Sequence, residues 1–362
     1  MAEVRVLAGG IDSLFASVRG ELIKGVLQAL DHVRALNPDA EVPCSFDGGP
    51  PNLLLRRHGW RGYRFWFTSP RYELYLGAPA PFPPAYLQLH AAHIHTVGVE
   101  TAEEEVETML RRDFFPDGFQ AVASRVDVFA DEQGWEPRHD DFSRFRCRAL
   151  RRRIFELPRQ AHGFGHRLSG FTFGKGDLMA RVYDKTLEMV VTGRRWPELL
   201  WEGRDPERPV WRVEFQFRRP VLAALGLNGT ADVIRHRQGL WDFGTRWLTL
   251  RTHAADSNRA RWPVAREWVQ IAAAEMGGSA VPLIRERVRD AEMLRLTQGL
   301  VGYATSVEAA EGGRGLGGAL SARVPSVRPY LERRGASFGE LVGAKRELRI
   351  DVAARAGFGP RR

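Results

Sequence analysis

The feature that most constrains the fold of this chain is the alternation of apolar and polar residues in several short stretches. The clearest stretch lies between Trp211 and Phe217, where apolar residues at every second position alternate with Arg212, Glu214 and Gln216. Because successive side chains of a β-strand point to opposite faces, this period of two predicts a half-buried strand. Similar stretches occur in pairs around turn sequences, so we expect an antiparallel sheet.

Two regions share one predicted order of elements, β-α-β-β-β-α. The first region has predicted strands at 11–18, 63–67, 72–76 and 86–90, and predicted helices at 22–33 and 101–110, the latter capped by Thr101. The second region has predicted strands at 122–131, 168–173, 178–183 and 210–217, a strongly basic helix at 141–155, and a helix at 228–247. This order predicts an α+β fold of two RRM-like or ferredoxin-like halves, with antiparallel sheets and helices on one face.

The predicted elements divide the chain into three parts. Residues 1–115 form the first half, and residues 116–250 form the second half, which carries the candidate catalytic motifs. Residues 251–362 are expected to be mainly helical, with helices at 265–276 and 284–300, a glycine-rich linker at 312–318 and a basic tail.

The charge of the chain favours an anionic partner. Lys and Arg number 53 against 44 Asp and Glu, which gives a formal net charge of +9. Most of the positive charge is arginine, whose planar guanidinium suits phosphate, so nucleic acid is the favoured partner. Anionic membranes and acidic proteins are alternatives, and a GC-rich genome or thermal adaptation produces the same arginine bias.

Hydropathy and cysteine content exclude other classes of protein. No apolar run reaches the roughly 18 residues that span a bilayer, and the N-terminal sequence lacks the pattern of a signal peptide. Cys44 and Cys147 are the two cysteines, and they lie far apart in the sequence. They favour a reducing cytoplasmic location over a disulfide framework.

Three stretches combine residues that can carry chemistry. Asp127 and Asp131 lie four residues apart on a predicted strand and share a face, where paired carboxylates suit Mg²⁺ or Mn²⁺. Arg212 and Glu214 share the polar face of their strand, which is either solvated or part of a site. Tyr183 ends a predicted strand, and a tyrosine acts as a nucleophile only when a base, cation or metal activates it. Each stretch alone is also typical of ordinary surface or core structure.

Taken together, the stretches resemble the replication initiation factor (Rep_trans) family of rolling-circle plasmid and phage initiators and related conjugative relaxases. The order and spacing match the family pattern over roughly residues 10 to 250. The matching residues are Arg125-Val126-Asp127 with Asp131, then Val182-Tyr183-Asp184-Lys185 with Glu188, then Trp211-Arg212-Val213-Glu214.

The resemblance implies an enzyme that nicks and rejoins DNA at an origin. Tyr183 would form a 5′-phosphotyrosyl link and free a 3′-hydroxyl, while Lys185 and Arg212 would neutralise the phosphate. A divalent cation, Mg²⁺ or Mn²⁺, would be held by Asp127 and Glu214 first and by Asp131 and Glu188 second. Backbone contacts to DNA would come from the basic helix, through Arg144, Arg146, Arg148, Arg151, Arg152 and Arg153.

The implied partners are single-stranded or hairpin origin DNA, a host helicase and a second copy of the chain, with no membrane. A different metal site is also open: His93 and His95 share a face if residues 86–95 form one strand, as in the His-hydrophobic-His signature of a broader nuclease class. The alternative functions are a relaxase of a conjugative element, a non-catalytic DNA-binding protein and an RNA-binding protein. The last class requires exposed aromatic and basic residues on the sheet.

Overall fold

The computed structural model describes residues 3–46, 52–147, 149–158, 166–256, 258, 261–279, 281, 283, 289–312, 315–333, 335 and 337–340. The chain forms two compact units, Met1–Arg285 and Glu286–Arg362. The division of the first unit near residue 115 stays a prediction.

In the described part of the first unit, eleven strands form one antiparallel sheet. The strands in chain order are β1 (Arg5–Gly20), β2 (Val42–Cys44), β3 (Leu53–Leu55), β4 (Phe65–Thr68), β5 (Tyr72–Leu76), β6 (Ala85–Leu89), β7 (Phe119–Gln133), β8 (Phe145–Arg146), β9 (Arg152–Pro158), β10 (His166–Phe173), β11 (Leu178–Asp184), β12 (Trp211–Arg218) and β13 (Thr249–Leu250). Their order across the sheet is β2-β3-β4-β5-β6-β1-β7-β12-β11-β10-β9, and β8 pairs with β13 separately.

The long strands β1 and β7 lie at the centre of this sheet. Strands β6, β5 and β4 follow on the side of β1, while β12, β11 and β10 follow in the same pattern on the side of β7. The two predicted halves therefore contribute to one continuous sheet, and an α+β fold with antiparallel pairing is confirmed. The description of each half as RRM-like or ferredoxin-like stays a prediction.

The helices of the first unit vary in length. They are α1 (Val26–Leu36), α2 (Ala91–Val97), α3 (Val99–Asp113), α4 (Asp141–Arg144), α5 (Lys185–Thr192), a 3₁₀ helix (Trp196–Leu200), α6 (Arg219–Ala224), α7 (Thr230–Arg235), α8 (Arg237–Trp247) and α9 (Arg266–Ala272). The prediction that Thr101 caps a helix is wrong, because α3 begins at Val99 and Gly98 is its N-cap. The predicted helix at 228–247 is two helices that meet at His236.

The apolar face of the sheet and the helices packed on it form the hydrophobic core. Phe215 of β12 is fully buried and meets Trp241 of α8 edge-on, with ring centroids 5.4 Å apart. A Cβ atom at Gly244 would lie 2.6 Å from the Phe215 ring, so α8 can approach the sheet only because this residue is glycine. The alternation of β12 thus places its apolar side chains under α8 and its polar side chains on the other face.

The prediction of a basic helix at 141–155 is wrong. Only α4 is helical there, and the chain continues as the strands β8 and β9. Phe145 is fully buried between Phe173 and Trp268, with ring centroids 4.8 and 5.6 Å away. Burial of this aromatic ring fixes the segment against the core, and tertiary packing of this kind overrides local helix propensity.

The described part of the second unit is helical, as expected. It contains α10 (Arg289–Glu311), α11 (Gly315–Ser321) and α12 (Val324–Arg333). The glycine-rich stretch at 312–318 was expected to be a linker, but α11 begins within it. Within the described ranges of both units, no helix combines the length and the apolar character needed to cross a bilayer.

Candidate active site

The polar face of the central strands carries a cluster of charged side chains. Cross-strand pairing places Arg212 of β12 between Asp131 of β7 and Tyr183 of β11, and places Arg181 opposite Glu214. All five side chains occupy one face because each strand alternates with a period of two. Sequence spacing predicted this face for three of the strands, and the register brings the predicted residues together.

Tyr183 and Glu214 are joined directly. The Tyr183 hydroxyl donates a hydrogen bond of 3.1 Å to Oε2 of Glu214. The other carboxylate oxygen, Oε1, lies 2.7 Å from the guanidinium of Arg181, which also lies 3.9 Å from Asp127. Arg181 therefore stands between two carboxylates, and one of them contacts the candidate nucleophile.

Asp127 is held in place by its neighbours. Its carboxylate is buried and accepts hydrogen bonds from the Ser13 hydroxyl at 3.1 Å and from Nε of Arg125 at 2.9 Å. A second nitrogen of Arg125 also contacts this carboxylate. The ion pairs compensate for the loss of hydration that burial of a carboxylate entails.

Burial changes the proton affinity of the cluster. Burial raises the pKa of Glu214 to about 7, with the charge of Asp127 acting in the same direction and Arg181 opposing it. Burial also raises the pKa of Tyr183 well above its ordinary value, and the charge of Glu214 adds to the effect. The phenol is therefore protonated at neutral pH, and an attack through its oxygen requires a proton acceptor.

Asp131 and Arg212 belong to a separate, closed network. Arg212 is fully buried and donates to both oxygens of Asp131, at 2.6 and 2.8 Å, and to Asp12 at 2.5 Å. Trp201 donates its indole N–H to Asp131 at 2.8 Å. Asp131 is thus paired with Arg212 and does not contact Asp127 or Glu214.

A β-bulge gives Asp12 its role in that network. The register between β1 and β7 shifts between Ile11 and Ser13, so Asp12 is the extra residue. Bulges redirect side chains, and here the side chains of consecutive residues reach the same face of the sheet: Asp12 contacts Arg212 while Ser13 contacts Asp127.

Lys185 and Glu188 form a pair beside Tyr183. Nζ of Lys185 lies 2.7 Å from Glu188 and 5.8 Å from the centroid of the Tyr183 ring. Both residues lie in α5, which begins directly after β11 and is capped by the Asp184 carboxylate. Tyr183, Lys185 and Glu188 line the same open groove as Asp127 and Glu214.

The structure does not place His93 and His95 on one face of a strand. Residues 91–97 form α2, and residues two apart on a helix do not share a face. His93 pairs with Glu105 of α3 at 2.8 Å, whereas His95 stacks on Trp196 and meets Phe129 edge-on. Helix formation after His90 thus separates the two imidazoles that a strand would have aligned.

The predicted DNA-binding arginines do not form one helical stripe. Arg144 donates to a backbone oxygen and to Asp141, and Arg152 donates to three backbone oxygens, so both serve the local structure. Arg151 and Arg153 are exposed at or beside the edge strand β9. Arg146 is partly exposed on β8, and Arg148 lies outside the described residues.

Sequence reasoning missed Arg181, Asp12 and Trp201. Arg181 was within reach, because it lies two residues before Tyr183 and a strand places both on one face. Asp12 depends on the bulge, and Trp201 directly follows the 3₁₀ helix in the connection to β12, so neither position follows from a periodic pattern.

Two of the predicted metal ligands have the right chemistry for a divalent cation. The carboxylates of Asp127 and Glu214 already share one cation, the guanidinium of Arg181, which marks a position between them where positive charge is favoured. Mg²⁺ is commonly held by one or two carboxylates together with substrate phosphates. Among the residues that the structure describes, no three His, Cys, Asp or Glu side chains cluster as a complete metal site.

Similarity to known proteins is found among solved structures. Neither a protein-family model nor a curated protein matches the chain. The fold is similar to that of the rolling circle replication initiator protein from Geobacillus stearothermophilus, with 16% sequence identity and a TM-score of 0.47. The alignment covers 78% of this chain and 100% of that one. A similarity of this extent says nothing about chemistry, which depends on the side chains described above.

Proposed function

We propose that this protein nicks and rejoins DNA through Tyr183, as an initiator of rolling-circle replication. The observation that carries the proposal is the hydrogen bond from the Tyr183 hydroxyl to Glu214, next to Arg181 and Asp127 in an open groove. Nucleophile, proton acceptor and phosphate-binding cation are the three parts that tyrosine-mediated strand transfer requires.

The chemistry follows from the two oxygens of Glu214. As Oη of Tyr183 forms its bond to phosphorus, the bond between phosphorus and the 3′-oxygen breaks. The phenol proton passes to Oε2 of Glu214, which the hydroxyl already faces, and the departing 3′-oxygen takes a proton from water. The product is a 5′-phosphotyrosyl link and a free 3′-hydroxyl, and attack by that hydroxyl restores the DNA without ATP.

The cations of the site bind the phosphate. Arg181 is partly exposed and borders the groove, so its guanidinium can contact a non-bridging oxygen. Lys185 lies over the edge of the Tyr183 ring and supplies a second positive charge. Arg212 is fully buried against Asp131, so its role is to position β12 and the neighbouring Tyr183.

Asp127 and Glu214 would hold a divalent cation, Mg²⁺ or Mn²⁺. When bound there, it would supply Lewis-acid polarisation of the scissile phosphate and stabilisation of the charge that develops on it. Oε1 of Glu214 is the oxygen available for this purpose, because it faces Arg181 and Asp127 while Oε2 faces the phenol. Conjugative relaxases use the same transfer chemistry, and the position of the nick relative to an origin or a transfer site distinguishes the two processes.

The test is a nicking assay on supercoiled plasmid that carries the chain's own gene and flanking DNA, with Mg²⁺ or Mn²⁺. The wild-type protein should produce open circles, and Tyr183→Phe should not. Tyr63→Phe is the matched control, because it removes a hydroxyl from the same groove outside the charged cluster. Asp127→Asn should also lose nicking, whereas nicking that depends only on His93 and His95 would contradict the proposed ligands.

A further inference from the structure

Five aromatic side chains form a patch at the other end of the groove, which we call the aromatic platform: Trp60, Tyr63, Trp66, Tyr75 and Tyr86. Trp66, Tyr75 and Tyr86 are direct neighbours across β4, β5 and β6, with centroids 6.1 Å apart in both pairs. Tyr63 lies 6.0 Å from Tyr75, and Trp60 lies 5.7 Å from Trp66. The rings are therefore contiguous: Trp60 is exposed, Tyr63, Trp66 and Tyr86 are partly exposed, and Tyr75 is buried among them.

The aromatic platform lies on the face of the sheet opposite the main hydrophobic core cluster. Phe65, Phe67 and Leu74 alternate with the platform residues along β4 and β5, and they are fully buried on the opposite face. Trp60 is 48% exposed, and Phe82, at 65%, lies at the border of the groove. Exposed aromatic surface inside a groove is typical of a binding site.

Arginines near the aromatic platform suit a phosphate backbone. The guanidinium of Arg61 lies 5.9 Å from the centroid of Trp60, and that of Arg56 lies 5.2 Å from the centroid of Trp66. Arg125 lines the groove between the platform and the charged cluster. Aromatic rings interleaved with cations are the combination by which proteins hold single-stranded nucleic acid.

The platform and the charged cluster share one continuous groove of about 1090 Å³. Tyr86 on β6 and Tyr183 on β11 are separated by four strand-to-strand steps in the sheet. Tyr86 pairs with Ser17 of β1, whereas Tyr183 lies level with Ala8 of the same strand, so the two tyrosines are also offset by nine residues along the strands. They are thus about 19 Å apart across the strands and about 30 Å apart along them, at about 4.8 Å per step and about 3.3 Å per residue. A single strand of DNA that follows the groove can place one phosphate at Tyr183 and bases several nucleotides away on the platform.

We propose that the aromatic platform stacks bases of the single-stranded DNA whose phosphate Tyr183 attacks. This inference rests on the function proposed above and adds a base-binding surface to it. Every base has a π-face, so stacking gives affinity without sequence preference. The bases of duplex DNA already stack on one another, and the platform therefore selects unpaired DNA.

The test measures binding alone, in the full-length protein and without divalent metal. The probe is a fluorescein-labelled dT oligonucleotide of 12 nucleotides, compared with the same oligonucleotide in duplex and with its rU equivalent. Trp60→Ala and Trp66→Ala should each weaken binding of dT by about five- to hundredfold, the range found for loss of one stacked base. Trp66→Phe keeps a ring and should bind nearly as the wild type does.

The controls separate this inference from the proposed function. Tyr303→Ala removes an aromatic side chain that is 75% exposed in the other unit, and it should change nothing. Tyr183→Phe should bind dT normally while failing to nick. If the wild type and the folded variants Trp60→Ala and Trp66→Ala bind dT equally, the proposed role of the platform is contradicted. The proposed nicking function is not affected by that result. Tighter binding of rU than of dT would assign the platform to RNA and overturn the inference.

Discussion

The two ends of the groove occupy equivalent places in one sheet, yet they are built from different chemistry. The charged end lies on β11 and β12, outward from β7, and the aromatic platform lies on β4, β5 and β6, outward from β1. The opposite face is apolar and buried in both places. The framework therefore fixes where outward-facing side chains stand, and their identity alone decides whether they form ion pairs or stacked rings.

A tyrosine–glutamate pair occurs at each end and makes the difference explicit. The Tyr75 hydroxyl donates to Glu73 as the Tyr183 hydroxyl donates to Glu214. A hydrogen bond with His90 is the main cause that lowers the pKa of Glu73, whereas burial raises the pKa of Glu214 to about 7. Glu73 is therefore held in its anionic form, whereas Glu214 is the carboxylate suited to exchange a proton.

The largest expected effect is on nicking by Glu214→Gln. The substitution keeps the size of the side chain and removes the proton acceptor, so the nicking rate should fall by about 10² to 10⁴, the usual contribution of general base catalysis. Glu73→Gln is the matched control at the aromatic end and should nick at nearly the wild-type rate. Equal losses of nicking rate in the two variants, measured on the same supercoiled plasmid, would contradict the proposed difference between the two ends of the groove.

The next effect concerns stability at the charged end. Arg212→Leu leaves Asp131 without its main partner in a buried place, and the free energy of unfolding should fall by about 3 to 5 kcal/mol. Arg61→Leu at the aromatic end is exposed and should change that energy by less than about 0.5 kcal/mol. Urea denaturation monitored by circular dichroism gives both values, and a small loss for Arg212→Leu would show that the network is dispensable.

The smallest expected effect distinguishes charge from stacking in DNA binding. Each arginine that contacts phosphate contributes about 0.7 to the slope of log affinity against log salt for single-stranded DNA. Arg151→Ala and Arg153→Ala should each reduce that slope if these exposed residues bind the backbone. Trp60→Ala should instead weaken binding equally at about 50 and 200 mM salt, because stacking releases no counterions. A reduced slope for Trp60→Ala would mean that the platform acts through charge.

The sequence predicts the parts of the fold and site that depend on periodicity. Alternation places Glu214 on the polar face of β12, and the sequence predicts that Tyr183 at the end of β11 meets it if the two strands are neighbours; the structure pairs the strands and joins the two side chains. Strand order is not periodic information, so the single sheet with β1 beside β7 emerged only from the structure. Asp12 reaches Arg212 through a bulge, which no alternation pattern reveals.

Local charge was the least reliable guide. The arginines at 144–153 predicted a DNA-binding helix, but burial of Phe145 determines the local structure and directs Arg152 to backbone oxygens. The aromatic stretch at 63–67 does not match the sequence pattern of an RNA-binding strand well. Its outward rings form a surface only when β5 and β6 add Tyr75 and Tyr86 from elsewhere in the chain.

The most direct test of the proposed chemistry is to trap the covalent adduct. A single-stranded oligonucleotide that spans the nicked site, labelled on the 3′ side of the scissile phosphate, is incubated with protein and Mg²⁺ or Mn²⁺, and the labelled protein is digested for mass spectrometry. The label should lie on the peptide that contains Tyr183, and Tyr183→Phe should yield no adduct while it still binds the oligonucleotide. An adduct on another residue, or an adduct formed by Tyr183→Phe, would contradict the assignment of Tyr183 as the nucleophile.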